Sequence, residues 1–452
     1  MSLGACRLKR RILVLLLGAS ACLSFVCCGG YTKPGGGPPS GLTNRVLASQ
    51  GTTSTTNFGS LIIVNGFTDF PARAGRISAG NSPGLMAVTP SLNIAASFDA
   101  NSNTVYATDT TKESSIGNIR LPGPTASMVF PGSNGIGFAA VPTATVTGFS
   151  VLGAVDQMNF SSGVLTTIAV TNAQTVIAND GGSQLLVFSN DSDSVTVLTP
   201  GLAVPPVDTS CITNPPNAVC TIVPGFDRPV YAVINGNTAY ILNCGAECGG
   251  TQASVQTLDL STFAVGAPVN VNGATMALLN GTQLYVAGNG TPTGPLCASI
   301  TSAAKTEATY CGTLDIVDVS SMTDPYFNNP GTEIAIPDGF HDRMDLNVLG
   351  QLFIGSHDCT NIGNVSNPSG EVRGCLAIYR TADNSVVIPP DNGNVNGLQG
   401  FTTRPVEYVA EGGNLRVYDT LTDTLLLNPD FLPQGTVEIV GYIGDVKAID
   451  FF

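Results

Sequence analysis

The sequence predicts an all-β protein, a single β-propeller built from four-stranded blades. Three observations support this prediction. Short runs rich in Val, Ile, Thr and Tyr alternate with Gly, Asn, Asp and Pro, as in short strands joined by tight turns. No stretch of the chain from residue 44 onward has helical periodicity. One unit returns at intervals of about 40 to 60 residues, the range of propeller blades.

The N-terminus, residues 1–28, is typical of an export signal. Four basic residues between Arg7 and Arg11 precede the apolar run 12–26, which is shorter than the roughly 20 residues a spanning helix needs. A retained anchor helix is the alternative. Cys22 follows Ala-Ser-Ala, and Cys28 precedes two glycines. These contexts resemble bacterial lipoprotein signals, and the sequence leaves open which cysteine carries the lipid.

Residues 29–44 are rich in Gly and Pro and predict a flexible linker. Neither candidate cysteine is followed by Asp, which favours the outer membrane by resemblance to the enterobacterial sorting rule. The expected location is therefore the cell envelope, outside the cytoplasm, with the lipid anchor as the contact with the membrane.

Residues 45–452 form the predicted propeller domain. We name the strands of a blade A to D from the central channel outward, and the repeated unit is most recognisable at strand C, where the run often ends in Asp. The copies are GSLIIVN (59–65), NTVYATD (103–109), DSVTVLT (193–199), ASVQTLD (253–259), GTLDIVD (312–318), CLAIYRT (375–381), NLRVYDT (414–420) and a weaker TGFSVLG (147–153).

Eight units can be counted, and seven is the alternative if a weak unit is misread. Blade 6 is the clearest, with A near 274–279, B near 283–288, C near 312–319 and D near 332–336. Blade 1 takes B, C and D from residues 45–79, and its A strand is expected from 445–452. Such sharing closes the ring and leaves no open sheet edge.

The repeat GTLDIVDVSS, together with NTVYATD and NLRVYDT, resembles that of YncE-like (YVTN-type) β-propellers. The wider set CGGYTKPGG, LTNRVLASQ, FDRPVYAV, AYILNCGAECGG, LNGTQLYVAG, GQLFIGSHDCT and VGYIGDVKAID looks like a lipoprotein β-propeller family of acidobacteria-type bacteria. The resemblance implies a fold and a location in the cell envelope. It implies no activity, because no agreed catalytic residues accompany it.

The eight cysteines beyond the signal fall into four local pairs, which in an exported chain predicts disulfides. A redox pair at Cys244 and Cys248 is the alternative. B–C and D–A turns share one rim of a propeller, so three pairs should staple B–C loops of blades 5 to 7, with the fourth on the opposite rim. The pairs are Cys211 with Cys220 (opposite rim), Cys244 with Cys248, Cys297 with Cys311, and Cys359 with Cys375.

The chain has two histidines, His341 and His357, each followed by an aspartate, Asp342 and Asp358. They flank a predicted hairpin, with strand A of blade 7 before the turn and strand B after it, so His341 should lie opposite His357 or its neighbour. Two histidines with carboxylates could bind a divalent metal or act as an acid–base pair. The structural alternative is hydrogen-bonded histidines at strand ends, with no cofactor.

The net charge limits the classes of molecule that the chain can bind. The signal holds four of the 18 basic residues and none of the 32 acidic ones, so the remainder is strongly acidic. That excludes a nucleic-acid footprint. We expect a binding or scaffold module of the envelope that contacts a protein or glycan through the stapled loops. The alternative is a lactonase-like or metal-dependent hydrolase with a site at the channel mouth. The sequence favours binding over catalysis without deciding between them, and assigns no catalytic residue.

Overall fold

The computed structural model describes residues 38–450, except 52–58, 149–151, 291–310, 328, 330–331, 333, 360–374, 390–392 and 427–434. The chain forms an all-β propeller of eight antiparallel blades. The prediction of eight blades is therefore confirmed. In the described residues, no helix is long and apolar enough to cross a membrane.

The strands of blades 1 to 4 run as follows, in the order A to D. Blade 1 contains Tyr442–Ala448, Arg45–Gly51, Ser60–Asn65 and Phe70–Ser78; blade 2 contains Pro83–Val88, Ile94–Asp99, Thr104–Asp109 and Ser114–Arg120; blade 3 contains Ser127–Val129, Ile136–Thr145, Leu152–Asn159 and Val164–Ala169; blade 4 contains Ala173–Ala178, Leu185–Ser189, Ser194–Leu198 and Cys220–Pro224.

Blades 5 to 8 repeat the same order. Blade 5 contains Pro229–Asn235, Thr238–Asn243, Ser254–Asp259 and Val269–Asn270; blade 6 contains Met276–Asn280, Gln283–Gly290, Cys311–Asp318 and Ile334–Ile336; blade 7 contains Phe340–Leu346, Gln351–His357, Leu376–Arg380 and Ser385–Val387; blade 8 contains Val395–Gly400, Val406–Glu411, Asn414–Asp419 and Thr424–Leu425. Thr436–Val437 also pairs with strand C of blade 8.

Two short segments decorate blades 3 and 4. The C–D loop of blade 4 contains one helical turn, Ser210–Thr213, and its strand Val207–Asp208 pairs in parallel with strand D of blade 3. Further 3₁₀ turns lie at Asp180–Gly182, Pro200–Leu202 and Gly245–Cys248.

The predicted closure of the ring is confirmed in blade 1. The C-terminal strand Tyr442–Ala448 pairs antiparallel with the first strand of the described chain, Arg45–Gly51. A buried ion pair joins the two ends, because the Arg45 guanidinium binds Asp450, with Nε 2.7 Å from Oδ2, and also Glu113, at 2.9 Å. The inner strands then contact one another around the full circle of eight blades.

The core is divided among the interfaces between blades. Among the described residues, each of eight apolar clusters fills the space between two neighbouring blades, and each draws side chains from both. A single four-stranded blade therefore cannot bury its own faces, which is the physical reason that the unit is repeated.

The aspartate that ends strand C in several blades caps the C–D turn. The carboxylate of Asp259 accepts hydrogen bonds from the Ser261 hydroxyl and from the backbone N–H groups of Ser261 and Thr262, which lower its pKa to about 2. Asp109, Asp318 and Asp419 make the equivalent turn. The fourth residue after each aspartate has a positive φ, as in a hairpin that closes with a bulge.

Blade 3 departs from the prediction. Its strand C is Leu152–Asn159, whereas the weak repeat was placed at 147–153. Asp156 lies in the middle of this strand and breaks the apolar pattern, yet its side chain is buried and accepts a hydrogen bond from the Thr167 hydroxyl. Burial raises its pKa to about 7. Because of this buried polar residue, the apolar pattern of the sequence did not predict the position of the strand.

Candidate functional site

The two histidines lie on one hairpin, as predicted, but point in different directions. Strand A of blade 7 pairs with strand B so that Phe340 faces His357 and His341 faces Ser356. Side chains alternate along a strand, so the two imidazoles lie on opposite faces of the sheet.

His341 is a buried structural residue. Its side chain is almost fully enclosed, and Nε2 lies 2.9 Å from the carbonyl oxygen of Pro337, to which it donates. Burial lowers the pKa of His341 to about 4, so the imidazole is neutral at neutral pH. The hydrogen bond fixes blade 7 to the end of strand D in blade 6.

His357 belongs to a polar network at the channel mouth. Its Nδ1 lies 3.0 Å from Asp342 Oδ1, and its Nε2 lies 2.9 Å from Asn396 Oδ1. Both neighbours accept hydrogen bonds, so the arrangement favours the imidazolium. The hydrogen bond to Asp342 raises the pKa of His357. Arg343 and Tyr442 complete the network.

The same network joins three blades. Arg343 bonds Asp342 through Nη1 at 3.0 Å and the Asn396 carbonyl through Nε at 2.8 Å. The Asn396 amide then donates to the Tyr442 hydroxyl at 2.8 Å. The mouth network, which we define as Asp342, Arg343, His357, Asn396 and Tyr442, therefore ties strand A of blades 7, 8 and 1 together.

The four predicted metal ligands are not brought together as one set. Asp342 and His357 are in contact, whereas His341 lies on the other face of the sheet, and Asp358 is exposed, with its backbone N–H donating to Asn394. In the part of the chain that the structure describes, no group of three or more His, Cys, Asp or Glu side chains is placed to hold a metal. Metal binding stays a prediction.

A cavity of about 920 Å³ occupies the channel beside this network. Its wall comes from strand A of seven blades and from the B–C turn of blade 4. Most of the lining is apolar. Of the charged groups, those of blades 4, 5 and 7 lie towards the mouth, whereas Asp445 and Lys447 lie further along strand A of blade 1. The charged lining residues are Asp191, Arg228, Asp342, Arg343, Asp445 and Lys447. The cavity therefore combines an apolar body with a few oriented polar groups, as ligand pockets do.

Two disulfides lie on the same rim as the mouth. Cys244 and Cys248 are bridged in the B–C loop of blade 5, and Cys359 and Cys375 bracket the B–C loop of blade 7. Cys248 itself lines the cavity. Bridges of this kind are typical of proteins outside the cytoplasm.

Of the remaining two cysteine pairs, one is bridged in the described residues, and the side chains of the other lie outside them. Cys211 and Cys220 are bridged in the C–D loop of blade 4, on the opposite rim. Cys297 and the side chain of Cys311 lie outside the described residues, so their pairing stays a prediction, as does the lipidation of Cys22 or Cys28.

Glu247 holds the first stapled loop onto the next blade. Its carboxyl accepts hydrogen bonds from the backbone N–H and the side-chain amide of Asn289, each at 3.0 Å, in strand B of blade 6. Burial raises the pKa of Glu247 to about 7. The loop is thus fixed covalently to its own blade and by hydrogen bonds to its neighbour.

Sequence reasoning missed Asn396, Tyr442 and Arg228. Each is an isolated polar or aromatic residue at the start of an A strand or directly before it, and no local sequence motif marks it. Their position in the repeat could have identified them. Once the blades are assigned, the starts of all A strands are expected at one end of the channel.

No protein-family model matches the chain, and no curated protein matches its sequence. Among solved structures, the chain is similar to dihydro-heme d1 dehydrogenase NirN in complex with DHE, with a TM-score of 0.58 and 10% identity over 90% of this chain and 75% of that chain. It is also similar to Kuenenia stuttgartiensis hydrazine synthase, with a TM-score of 0.44 and 12% identity over 80% and 90%. The first likeness shows the propeller fold alone, and the second carries no argument.

Proposed function

We propose that the chain is a lipid-anchored β-propeller of the cell envelope that acts as a binding module, and that it receives its ligand at the channel mouth. One observation carries the proposal. The 920 Å³ cavity opens on the rim where the bridged loops at Cys244–Cys248 and Cys359–Cys375 lie. The bridged loop at Cys244–Cys248, which Glu247 also holds to blade 6, is fixed beside the cavity before the ligand arrives, which lowers the cost of ordering on binding.

The chemistry of the mouth supports binding. His357 Nε2 is hydrogen-bonded to Asn396, His357 Nδ1 lies 3.0 Å from Asp342 Oδ1, and Asp342 is shared between His357 and Arg343. These contacts hold the polar groups of the mouth in place before a ligand arrives. Phe340, about half exposed, lines the same cavity and offers an apolar contact at its edge. The expected partner is an envelope protein or glycan, one part of which enters the mouth.

The test is capture from native envelope extract with the full chain and with Phe340→Asp. Phe340 lies at the mouth, and its replacement by a carboxylate should abolish retention of any occupant. Ile222→Asp is the matched control, because Ile222 is similarly exposed but lies on strand D of blade 4, away from the cavity.

A component retained by the wild-type chain and by Ile222→Asp, and lost with Phe340→Asp, is the expected result. Retention that survives Phe340→Asp would place the binding surface elsewhere and contradict the proposal. Melting curves of both variants show whether the ring remains intact.

A hydrolase is the second candidate, and the contact between Asp342 and His357 is the observation that favours it. An aspartate that holds the Nδ1 of a histidine is the orienting half of an acid–base site. The test is turnover of a lactone and ester panel by the full chain and by His357→Gln, with metal analysis of both. Turnover that disappears with His357→Gln would favour the hydrolase.

A further inference from the structure

Large apolar side chains protrude from the turns of three consecutive blades on the rim opposite the channel mouth. Val348 and Leu349 lie in the A–B turn of blade 7, Leu421 in the C–D turn of blade 8, and Phe67 in the C–D turn of blade 1. Their exposed fractions are 57%, 48%, 67% and 59%. We call these four residues the apolar tips.

Contacts between the turns make the tips neighbours. The side chain of Gln351, just after the blade 7 turn, donates to the carbonyl of Thr420, which precedes Leu421, at 2.7 Å. The Arg404 guanidinium of blade 8 binds Asp69 and the carbonyl of Gly66 in the turn that carries Phe67. Rigid turns, rather than a flexible loop, therefore hold the tips.

Several other turns on this rim are polar, and Val164 is exposed at the C–D turn of blade 3. The A–B turns of blades 4, 5 and 6 consist of residues such as Asp180, Asn237 and Thr282. Leu202 and Val204 are exposed in the C–D loop of blade 4, on the far side of the ring, where that loop turns back along blade 3. The contiguous apolar surface is the one on blades 7, 8 and 1.

The described chain begins on this same rim. Ser40 donates from its backbone N–H and its hydroxyl to Glu113, each at 2.6 Å, and Glu113 lies in the C–D turn of blade 2. Strand B of blade 1 then starts at Arg45, opposite Asn65, two residues before Phe67. The start of the described chain is thus clamped next to the apolar tips.

The sequence before the clamp limits how far the rim can lie from a membrane. Nine residues, 29–37, separate Cys28 from Pro38, and 15 residues, 23–37, separate Cys22 from Pro38. The fully extended chain spans at most about 36 Å from Cys28 and about 58 Å from Cys22. A membrane that holds the N-terminal segment therefore lies within that reach of the rim that carries the apolar tips, where the described chain begins.

We propose that the apolar tips insert into the surface of the lipid bilayer and fix the propeller with its channel mouth facing away from the membrane. This inference rests on the proposed attachment of the chain to a membrane. Aromatic and aliphatic side chains at turn tips suit the interface between headgroups and acyl chains. Lys112, exposed in the C–D turn of blade 2 on the same rim, pairs with Asp109 at 3.1 Å and can exchange this partner for a lipid phosphate. A protein partner on this rim is the alternative that the test excludes.

The chain contains no tryptophan, so a single introduced tryptophan is its only indole reporter. The full chain, with its N-terminal segment, is reconstituted into vesicles of phosphatidylethanolamine and phosphatidylglycerol with and without brominated acyl chains. Phe67→Trp and Leu421→Trp report on the tips. Phe340→Trp is the matched control, since Phe340 is exposed to a similar degree at the opposite rim.

We expect blue-shifted emission and quenching by brominated lipid at positions 67 and 421, with neither change at 340. Vesicle flotation measures attachment separately. A chain that floats with its vesicles while all three tryptophans stay in water overturns the inference and leaves the attachment standing. A chain that does not float overturns both. Quenching at 340 instead reverses the proposed orientation and overturns the inference.

Discussion

Glu247 is a partly buried carboxyl whose protonation depends on one neighbouring side chain. Its carboxyl faces the side-chain amide of Asn289, and Asn289 Oδ1 has no hydrogen-bond partner among the described residues. Rotation of this amide by half a turn would let Oδ1 accept a hydrogen bond from the O–H of a neutral Glu247 carboxyl. This geometry agrees with the direction in which burial shifts the pKa.

Glu247→Gln should therefore remove part of the pH dependence of stability. A carboxyl whose pKa is raised from 4.5 to about 7 on folding makes the wild-type chain lose stability as pH rises between those values. Glutamine keeps both hydrogen-bonding partners and carries no charge. Denaturant unfolding at pH 5 and pH 8 should show a smaller loss in the variant. An equal loss in both chains would mean that Glu247 is already ionised at pH 5.

At the same scale, the sequence predicted some neighbours and missed others. The two His-Asp dipeptides flank a tight turn, so the pairing of His341 beside His357 followed from strand register. Register also sends adjacent side chains to opposite faces, and a bulge between His341 and Arg343 shifts the pairing there. The contacts of His357 with Asn396, and of Asn396 with Tyr442, depend on the packing of three blades, and no local pattern encodes such contacts.

At the scale of elements, the bridged loops differ in how much chain they close. Cys359 and Cys375 are separated by 16 residues, and Cys244 and Cys248 by four. In the chain-entropy account, a bridge stabilises by restricting the unfolded chain, more strongly for a longer loop. The two B–C bridges should therefore contribute unequally.

Replacing both Cys359 and Cys375 by serine should cost about 3 kcal/mol of unfolding free energy, and replacing Cys244 and Cys248 about 2 kcal/mol. Guanidinium unfolding of the two double variants, under non-reducing conditions, measures both. The Cys244–Cys248 variant keeps the Glu247–Asn289 hydrogen bonds as a second attachment. A larger loss for Cys244 and Cys248 would show that this bridge acts on the native cavity wall rather than on the unfolded chain.

Strand-level prediction succeeded where turn chemistry repeats. An aspartate at the end of strand C, followed by a capped turn, marks blades 2, 5, 6 and 8, and these strands were placed within a residue or two. It failed in blade 3, where strand C ends in Asn159 and contains the buried Asp156. Tertiary burial of a carboxyl overrides the local pattern, and sequence periodicity does not report it.

At the scale of the whole molecule, the ring is held closed by one strand. Ile443, Val446 and Ala448 of the C-terminal strand are buried in the cluster between blades 8 and 1. The Arg45 guanidinium, also buried, binds Asp450. Removing the strand would expose the edge of Arg45–Gly51 and leave Arg45 without its main partner, and both changes destabilise the remaining fold.

A chain that ends at residue 440 should therefore lose its single cooperative melting transition and self-associate through the exposed strand edge. A chain that ends at Asp450 is the matched control, since it keeps the whole closing strand and its ion pair. Calorimetry and light scattering of the two truncations compare them with the full chain. Each blade buries its faces only against its two neighbours. Loss of the closing strand therefore leaves two interfaces incompletely covered, the one between blades 8 and 1 and the one between blades 1 and 2. A truncation at 440 that melted in one transition near that of the full chain would show that seven blades and a partial eighth suffice without closure.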